Sequence, residues 1–210
     1  MRHIDWYFDF ISPFAYLASQ SLHRLPDDVV IHPRPILFAG LLKHWSTRGP
    51  AEIEPMREFT FRHITWLAKQ HGIPLTLPPA HPFNPLKLLR LCTALGGDSA
   101  CVDRLFRFVW AEGRSSENAA DWQELGAALA IDDIDATCSA TDVKEALVQA
   151  TNDAIANGVF GVPTFAVDGE LFWGFDAIDF LDHFLANPGM LAEPEMRAVS
   201  AMPVGISRRS

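Results

Sequence analysis

The 210-residue sequence predicts an α/β fold in which a βαβ unit and a ββα unit are separated by a large all-helical insertion. Apolar and polar residues alternate along residues 3–10, as in a half-buried strand, and a helical pattern follows at once. Much later in the chain, Asp168-Gly169 lies between two short runs of strand-forming residues, which is a strong hairpin signal. Between these two regions the apolar residues repeat with the period of helices.

The N-terminal unit is predicted as strand 3–10, helix 13–25 and strand 29–31. The apolar side of the first strand is expected to face the core: Ile4, Trp6, Phe8 and Phe10. Pro33 and Pro35 follow the second strand. Because proline cannot donate a hydrogen bond to a neighbouring strand, these residues place the end of that strand at an edge of the sheet.

Residues 38–158 predict a series of helices. One stripe of residues at helical spacing consists of Met56, Phe59, His63, Trp66 and Leu67. Asp121 with Glu124, and Asp142 with Glu145, have the spacing of a capping box and predict the starts of two later helices. The bulky aromatic residues of this region are expected in the core rather than at a substrate-binding surface: Trp45, Trp66, Phe83 and Trp110.

Strands 164–167 and 171–173, followed by helix 176–185, complete the ββα unit. This order of elements is that of a thioredoxin-like core with a helical insertion. Residues 187–210 contain several prolines and show no sustained period, so an extended, partly disordered tail is expected. The predicted division is therefore a core of residues 1–37 and 159–186, an insertion of residues 38–158 and a tail of residues 187–210.

The composition argues against several classes of function. The formal net charge of −9 argues against a nucleic-acid partner, because binding to phosphates needs a positive surface. Asp5 and Asp9 interrupt the N-terminal apolar stretch, so no signal peptide is predicted, and no apolar run is long enough for a membrane span. The eight histidines form no metal-binding motif, and no metal site is predicted.

The cysteines have neither CxxC spacing nor the spacing of metal ligands: Cys92, Cys101 and Cys138. They are expected to be buried packing residues. Their small, odd number suits a reducing compartment, and the cytoplasm is the simplest location.

The candidate site combines two points that are far apart in the sequence. Ser12 opens the first helix, and Val162-Pro163-Thr164 directly precedes the hairpin. A thioredoxin-like fold brings the start of this helix against a cis-proline loop, so we expect Ser12 to lie beside Pro163. Ser12 also has a purely structural explanation, because serine is a frequent helix N-cap.

Three segments resemble the 2-hydroxychromene-2-carboxylate isomerase family, which is related to the kappa-class glutathione transferases and, more distantly, to the DsbA-like oxidoreductases. They are Phe8-Asp9-Phe10-Ile11-Ser12-Pro13-Phe14-Ala15-Tyr16-Leu17, Gly161-Val162-Pro163-Thr164-Phe165 and Phe172-Trp173-Gly174-Phe175-Asp176. The resemblance covers residues 3–186. It implies a glutathione cofactor, a homodimer, and interconversion of 2-hydroxychromene-2-carboxylate and trans-o-hydroxybenzylidenepyruvate in aromatic-compound catabolism.

The resemblance makes Ser12 the catalytic residue. The redox relatives have a CxxC motif where this chain has Ser12-Pro13-Phe14-Ala15, so thiol–disulfide exchange is excluded at this position. Ser12 would instead stabilise the thiolate of glutathione. Lowering the pKa of a thiol by two units, from about 8.5, requires roughly 2.7 kcal/mol. The helix dipole contributes about 0.3–2 kcal/mol and a hydrogen bond from Ser12 about 1.5–3 kcal/mol, which together are sufficient.

The resemblance also implies contacts to glutathione. The backbone of Val162 would pair with the cysteinyl backbone of glutathione, next to a cis bond at Pro163. Asp176 would hold the ammonium of the γ-glutamyl end, or would only cap the last helix. The same segment is implied to line the cofactor site: Trp173, Gly174 and Phe175. Phe175 replaces a small polar residue that many relatives have, so only its backbone contact is carried over.

Two further candidates come from the predicted insertion. Lys43 matches a family lysine near glutathione or the substrate carboxylate, with an ordinary solvated lysine as the alternative. Asn84 lies in a segment that lines the cleft, and it either hydrogen-bonds the ligand or caps the next helix. Some relatives have an Asn-Arg pair where this chain has Ile53-Glu54, and Arg57 is a candidate replacement.

The implied function is a glutathione-dependent cis–trans isomerase whose substrate is a small aromatic carboxylate held by Lys43. One alternative is a kappa-like glutathione transferase, which would use the same Ser12 but release a stable conjugate. Another is a non-catalytic binding protein that keeps the scaffold. Consumption of glutathione separates the first two functions, and loss of glutathione binding would indicate the third.

Overall fold

A computed structural model describes residues 1–206 and contains one four-stranded mixed sheet. The strands are β1 (Arg2–Phe8), β2 (Val29–Pro35), β3 (Thr164–Val167) and β4 (Glu170–Trp173). Their order across the sheet is β2-β1-β3-β4. β1 pairs in parallel with β2 and antiparallel with β3, and β3 pairs antiparallel with β4. The predicted α/β class and the thioredoxin-like order of elements are confirmed.

The helices lie before, between and after these strands. They are α1 (Pro13–Ser19), α2 (Phe38–His44), α3 (Glu54–Gln70), α4 (Leu86–Ala94), α5 (Ser99–Trp110), α6 (Ala119–Ala128), α7 (Ile134–Ser139), α8 (Thr141–Ala156), α9 (Ile178–Ala186) and α10 (Pro194–Ser200). Short 3-10 turns span Leu22–Arg24, Pro50–Glu52 and Pro188–Ala192. Helices α2 to α8 come from the predicted insertion.

The prolines of β2 lie where the sequence predicts them. The strand continues to Pro35, beyond its predicted end at Ile31, and it forms an edge of the sheet.

The apolar residues predicted to face the core from the first strand are fully or almost fully buried: Ile4, Trp6, Phe8 and Phe10. The Trp6 ring lies 6.0 Å from Phe106 of α5 and 6.2 Å from Phe165 of β3, so the sheet and the helical region share one core. The boundaries between core and insertion stay a prediction.

The first helix is shorter than predicted. It ends at Ser19, and a separate 3-10 turn replaces the expected continuation to Leu25. The Ser19 hydroxyl donates a hydrogen bond of 2.7 Å to the carbonyl of Tyr16, and the N–H of Ser21 bonds to the carbonyl of Ala18, three residues back, at 2.9 Å. The hydrogen bonds thus change from the α-helical to the 3-10 pattern at this point. At the other end of the chain, α9 begins at Ile178, two residues later than predicted.

Both predicted capping boxes are wrong. Asn118 is the N-cap of α6, where its side chain accepts hydrogen bonds from two backbone N–H groups. Asp121 instead accepts from Arg114 and from the backbone N–H of Ser115. Helix α8 begins at Thr141 without a side-chain cap. At α6, the Asp121 carboxylate therefore binds Arg114 and does not cap the helix.

The expectation of an extended tail is also wrong for residues 188–192 and 194–200. Residues Pro188–Ala192 form a 3-10 turn and Pro194–Ser200 form α10. Each segment begins with a proline, whose fixed φ angle suits the first turn of a helix. Met190 is buried in the main core and anchors the first segment. Residues 207–210 of the predicted tail lie outside the described residues.

None of the helices between residues 1 and 206 combines the length and apolar character that a membrane crossing needs.

Candidate functional site

The candidate site is built on residues 9–12, which turn the chain from β1 into α1. The N–H of Ser12 donates to the carbonyl of Asp9 at 3.0 Å and closes this turn. The Ser12 Oγ atom accepts a hydrogen bond from the N–H of Ala15 at 3.2 Å, so Ser12 is the N-cap of α1. Its hydroxyl donates to the carbonyl of Val162 at 3.4 Å. This last bond is long, and the hydroxyl hydrogen is therefore only weakly held.

Two aromatic N–H donors hold the backbone immediately before Ser12. The indole Nε1 of Trp110 donates to the carbonyl of Phe10 at 2.8 Å. The imidazole Nε2 of His81 lies 2.9 Å from the carbonyl of Ile11. Since a carbonyl can only accept, His81 must carry its proton on Nε2. Trp110 is fully buried, as predicted, but its polar contact was not predicted.

Asp9 is a fully buried carboxyl group beneath the same turn. One of its oxygens accepts from the N–H of Ile11 at 3.1 Å, and the other accepts from the N–H of Phe38, at the start of α2, at 2.9 Å. Burial raises the pKa of Asp9 to about 7, although the two backbone hydrogen bonds oppose this shift. Asp9 therefore ties the end of β1 to the beginning of α2.

The cis-proline loop faces Ser12 as predicted. The Val162–Pro163 peptide bond is cis. The carbonyl of Val162 meets the Ser12 hydroxyl, and the carbonyl of Pro163 accepts a hydrogen bond of 2.9 Å from the N–H of Gly174. The fold thus brings the end of β4 and the start of α1 to the same loop.

The end of β4 covers this loop with an exposed aromatic ring. The indole of Trp173 packs directly on Gly161, where a Cβ atom would overlap with Nε1 of the ring. Trp173 is 55% exposed, and its ring lies 5.1 Å from that of Phe160 in an edge-to-face arrangement. Gly161 therefore permits the Trp173 ring to pack against the backbone just before the cis-proline bond.

Phe175 and Asp176 point in different directions. The Phe175 side chain is buried, with its ring 5.2 Å from that of His71, so only its backbone is available at the surface. Asp176 is exposed and precedes α9, whose N-cap is Ala177. Asp176 does not cap the helix, because α9 has no side-chain cap. Gly174 has a positive φ of 106°, and a Cβ atom there would lie 2.5 Å from the Asp176 carboxylate.

Within residues 1–206, neither of the remaining two predicted site residues forms a hydrogen bond with Ser12. Lys43 is exposed on α2, and none of the ion pairs within residues 1–206 includes its ammonium. Asn84 accepts a hydrogen bond from the N–H of Leu86 at 3.0 Å and thereby supports the start of α4. Arg57 donates to the carbonyl of His81 at 3.1 Å. Ligand contacts by these three residues stay predictions.

An exposed aromatic row on α3 adjoins the start of α1. The Phe14 ring lies 5.9 Å from that of His63, which in turn lies 5.5 Å from Phe59 and 6.1 Å from Trp66. Phe59 is 66% exposed and Trp66 is 55% exposed. The expectation that Trp66 packs in the core is therefore wrong, and Trp45 is exposed as well. Helical spacing alone does not distinguish a buried stripe from a surface stripe.

Among residues 1–206, no group of three or more His, Cys, Asp or Glu side chains is arranged to hold a metal ion.

Comparison with known proteins agrees with this geometry. Residues 3–186 match the DSBA-like thioredoxin domain. The 2-hydroxychromene-2-carboxylate isomerase of Sphingobium xenophagum is 32% identical over 200 residues, covering 89% of this chain and 99% of that protein. The chain belongs to this isomerase family. The family is thus shown over the range in which the sequence motifs indicated it.

Other family relatives and a solved structure extend the comparison. The isomerase of Pseudomonas putida is 28% identical, covering 85% of this chain and 92% of the relative. Glutathione s-transferase kappa 2 of Caenorhabditis elegans is 26% identical, covering 88% of this chain and 92% of the relative. A solved 2-hydroxychromene-2-carboxylate isomerase superposes with a TM-score of 0.78 at 24% identity, covering 96% of this chain and all of that one. It has the same fold.

Proposed function

We propose that this family member is a glutathione-dependent cis–trans isomerase that interconverts 2-hydroxychromene-2-carboxylate and trans-o-hydroxybenzylidenepyruvate, with Ser12 as the catalytic residue. The observation that carries the proposal is the Ser12 hydroxyl, which lies between the start of α1 and the cis-proline loop and is held there by a long hydrogen bond of 3.4 Å. The names of the relatives support isomerase chemistry and, through the kappa-class transferases, glutathione as the cofactor.

The residues around Ser12 fit glutathione in three respects. The Ser12 hydroxyl can turn from Val162 toward a thiolate at little expense, because the present bond is long. Its oxygen already accepts from Ala15, which leaves the hydroxyl to act as a donor. Asp176 is exposed and makes no ion pair within residues 1–206, so its carboxylate is available to the γ-glutamyl ammonium.

The short first helix changes the balance of these contributions. Because α1 spans only Pro13–Ser19, its dipole is that of about two turns, and we expect the lower part of the range of about 0.3–2 kcal/mol. The hydrogen bond from Ser12, at about 1.5–3 kcal/mol, then carries most of the stabilisation of the thiolate. Removing it should lower the rate by about 10- to 150-fold.

The other proposed contacts come from the cis-proline loop, the end of β4, α2 and the α3–α4 connection. The backbone of Val162, beside Pro163, would align the cysteinyl part of glutathione, and the backbone of Gly174 and Phe175 would face its γ-glutamyl part. Trp173 would cover the cofactor from the side of β4. Lys43 would hold the substrate carboxylate, with Asn84 at the margin of the cleft. When bound, glutathione supplies a thiolate that adds reversibly to the conjugated double bond and so permits its rotation.

The test follows the absorbance of 2-hydroxychromene-2-carboxylate with and without glutathione while the free thiol is titrated. We expect isomerisation that requires glutathione and leaves its amount unchanged. Ser12→Ala should reduce the rate by the factor given above. Ser19→Ala is the matched control, because it removes a hydroxyl from the other end of α1. An unchanged rate in Ser12→Ala would refute the role of Ser12.

A kappa-like glutathione transferase is the second candidate, because kappa-class relatives match nearly the whole chain. In that case the same assay, with an electrophilic acceptor present, would consume thiol and yield a stable conjugate. A protein that binds no glutathione would instead be a non-catalytic member of the fold. A homodimer and a cytoplasmic location belong to the proposal as well, and size-exclusion chromatography with light scattering tests the first of them.

A further inference from the structure

His81 lies in the connection between α3 and α4, and it contacts the backbone next to Ser12 rather than the Ser12 side chain. Its Nε2 atom donates to the carbonyl of Ile11, which belongs to the same peptide unit as the N–H of Ser12. That N–H donates to the carbonyl of Asp9. The Ile11–Ser12 peptide is therefore held from both sides, by His81 at its oxygen and by Asp9 at its hydrogen. Because a peptide unit is planar, these two bonds together fix its orientation and hence the position of the Ser12 Cα atom, from which the side chain extends.

The surroundings of the His81 ring hold it in this position. Its ring lies 5.1 Å from Phe61, 6.0 Å from Phe83 and 5.8 Å from Trp110. The backbone carbonyl of His81 accepts a hydrogen bond from Arg57, whose guanidinium lies 5.5 Å from the centre of the Phe61 ring. The ring is thus enclosed by aromatic side chains from α3, from α5 and from its own connection, and the loop that carries it is tied to α3.

The protonation state of His81 follows from its partners. The Nδ1 atom is buried and has no hydrogen-bond partner within residues 1–206. Burial lowers the pKa of His81, and the nearby positive charge of Arg57 adds to this effect, while the hydrogen bond to Ile11 opposes it. A neutral ring with its proton on Nε2 can donate the hydrogen bond to the carbonyl of Ile11. A protonated ring would place a second N–H in an environment without an acceptor.

We infer that His81 is a positioning residue for Ser12: as a neutral Nε2–H imidazole it fixes the Ile11–Ser12 peptide and thereby the place at which the Ser12 hydroxyl meets its ligand. The inference rests on the proposed function for the identity of that ligand, the glutathione thiol. The orientation of the peptide itself is a property of the free protein and can be tested without it.

The first experiment measures the free protein. Nitrogen-15 NMR of the His81 ring should show a neutral ring protonated at Nε2, and a ring protonated at Nδ1 would overturn the inference. Amide hydrogen exchange should be faster at Ser12 in His81→Phe, which keeps an aromatic ring but has no donor. His81→Gln keeps a donor at the end of the side chain and should restore slow exchange. His23→Phe, at an exposed position in the 3-10 turn, is the matched control.

The second experiment measures bound glutathione. Ultraviolet absorbance of the thiolate gives the pKa of the bound thiol in each variant. We expect His81→Phe to raise this pKa by about half a unit or more and to lower kcat/KM by about 10- to 100-fold, as a misplaced catalytic group does. His81→Gln should recover most of both effects. The same pKa in the native protein and in His81→Phe, with unchanged exchange at Ser12, would refute the inference.

The outcomes distinguish the two proposals. If the native protein binds no glutathione, the proposed function fails, while the exchange data still decide the role of His81. If glutathione binds with a lowered thiol pKa and His81→Phe alters neither readout, the proposed function stands and the inference fails. Thermal unfolding of each variant identifies any variant that has lost its fold. If His81→Phe is such a variant, amide exchange at Ser12 in His81→Gln decides whether His81 positions Ser12.

Discussion

The buried carboxyl group of Asp9 leads to a sharp prediction about stability and pH. The usual pKa of an aspartate is 3.8, and burial raises that of Asp9 to about 7 in the folded protein. Between these values the folded protein binds one more proton than the unfolded chain. Stability must therefore fall as the pH rises from about 4 to about 7, and the loss is complete above the folded pKa.

The magnitude follows from the size of this shift. A difference of about 3 units corresponds to about 4 kcal/mol in total. Part of that loss has already occurred at pH 5, so about 2.5 kcal/mol should be lost between pH 5 and pH 8. Asp9→Asn removes the titration. It also replaces one of the two acceptor oxygens by an amide, which leaves the N–H of Ile11 or of Phe38 without an acceptor at a cost of about 1–3 kcal/mol.

Urea unfolding of the native protein and of Asp9→Asn at several pH values between 5 and 8 tests this prediction. The difference in unfolding free energy between the two proteins should change by about 2.5 kcal/mol in favour of the variant as the pH rises. Comparing the two proteins cancels the contributions of other titrating groups, including His81. Asp28→Asn, at an exposed turn, controls for the loss of one negative charge. A difference that stays constant over this range would refute the reasoning.

Two further predictions concern buried groups of α5 and α7. Trp110→Phe removes the N–H that satisfies the carbonyl of Phe10, so urea unfolding should show a loss of about 1–3 kcal/mol, and equal stability would contradict the importance of that bond. Burial raises the pKa of the Cys138 thiol to about 11, so alkylation of Cys138 at pH 8 should be at least about 100-fold slower in the folded protein than in urea. Mass spectrometry of the alkylated peptides measures this ratio, and comparable rates would show that the thiol is accessible.

The features that the sequence predicts correctly have local signals. The alternation along β1, the Asp168-Gly169 turn and the prolines of β2 each specify a backbone conformation through neighbouring residues. The meeting of Ser12 with the Val162–Pro163 loop was predictable because both points lie at the ends of elements whose order is recognisable. Local signals predict the wrong structure where a distant residue offers a competing contact. Asp121, for example, binds Arg114, and Asn118 caps α6 instead.

The same limit explains why the sequence predicts the wrong environment for Trp66 and contains no signal for the contact of His81. Trp66 belongs to a row with helical spacing, and that spacing is identical whether the row faces the core or solvent. His81 stands in a proline-rich connection without a periodic pattern, and its importance appears only when the fold brings it 2.9 Å from the carbonyl of Ile11. The sequences around Ile11 and around His81 contain no local pattern that would predict a hydrogen bond between them.

The turn before α1 shows why Ser12, the proposed catalytic residue, needs more than its own motif. The carbonyl of Phe10 is held by α5, that of Ile11 by the α3–α4 connection, and the N–H of Ile11 by the Asp9 carboxyl group, which also binds the start of α2. The helical insertion therefore supplies two of the side chains that hold the backbone before Ser12, those of Trp110 and His81. If the proposed function holds, changes in α5 or in the α3–α4 connection should therefore alter the pKa of the glutathione thiol without touching the ligand.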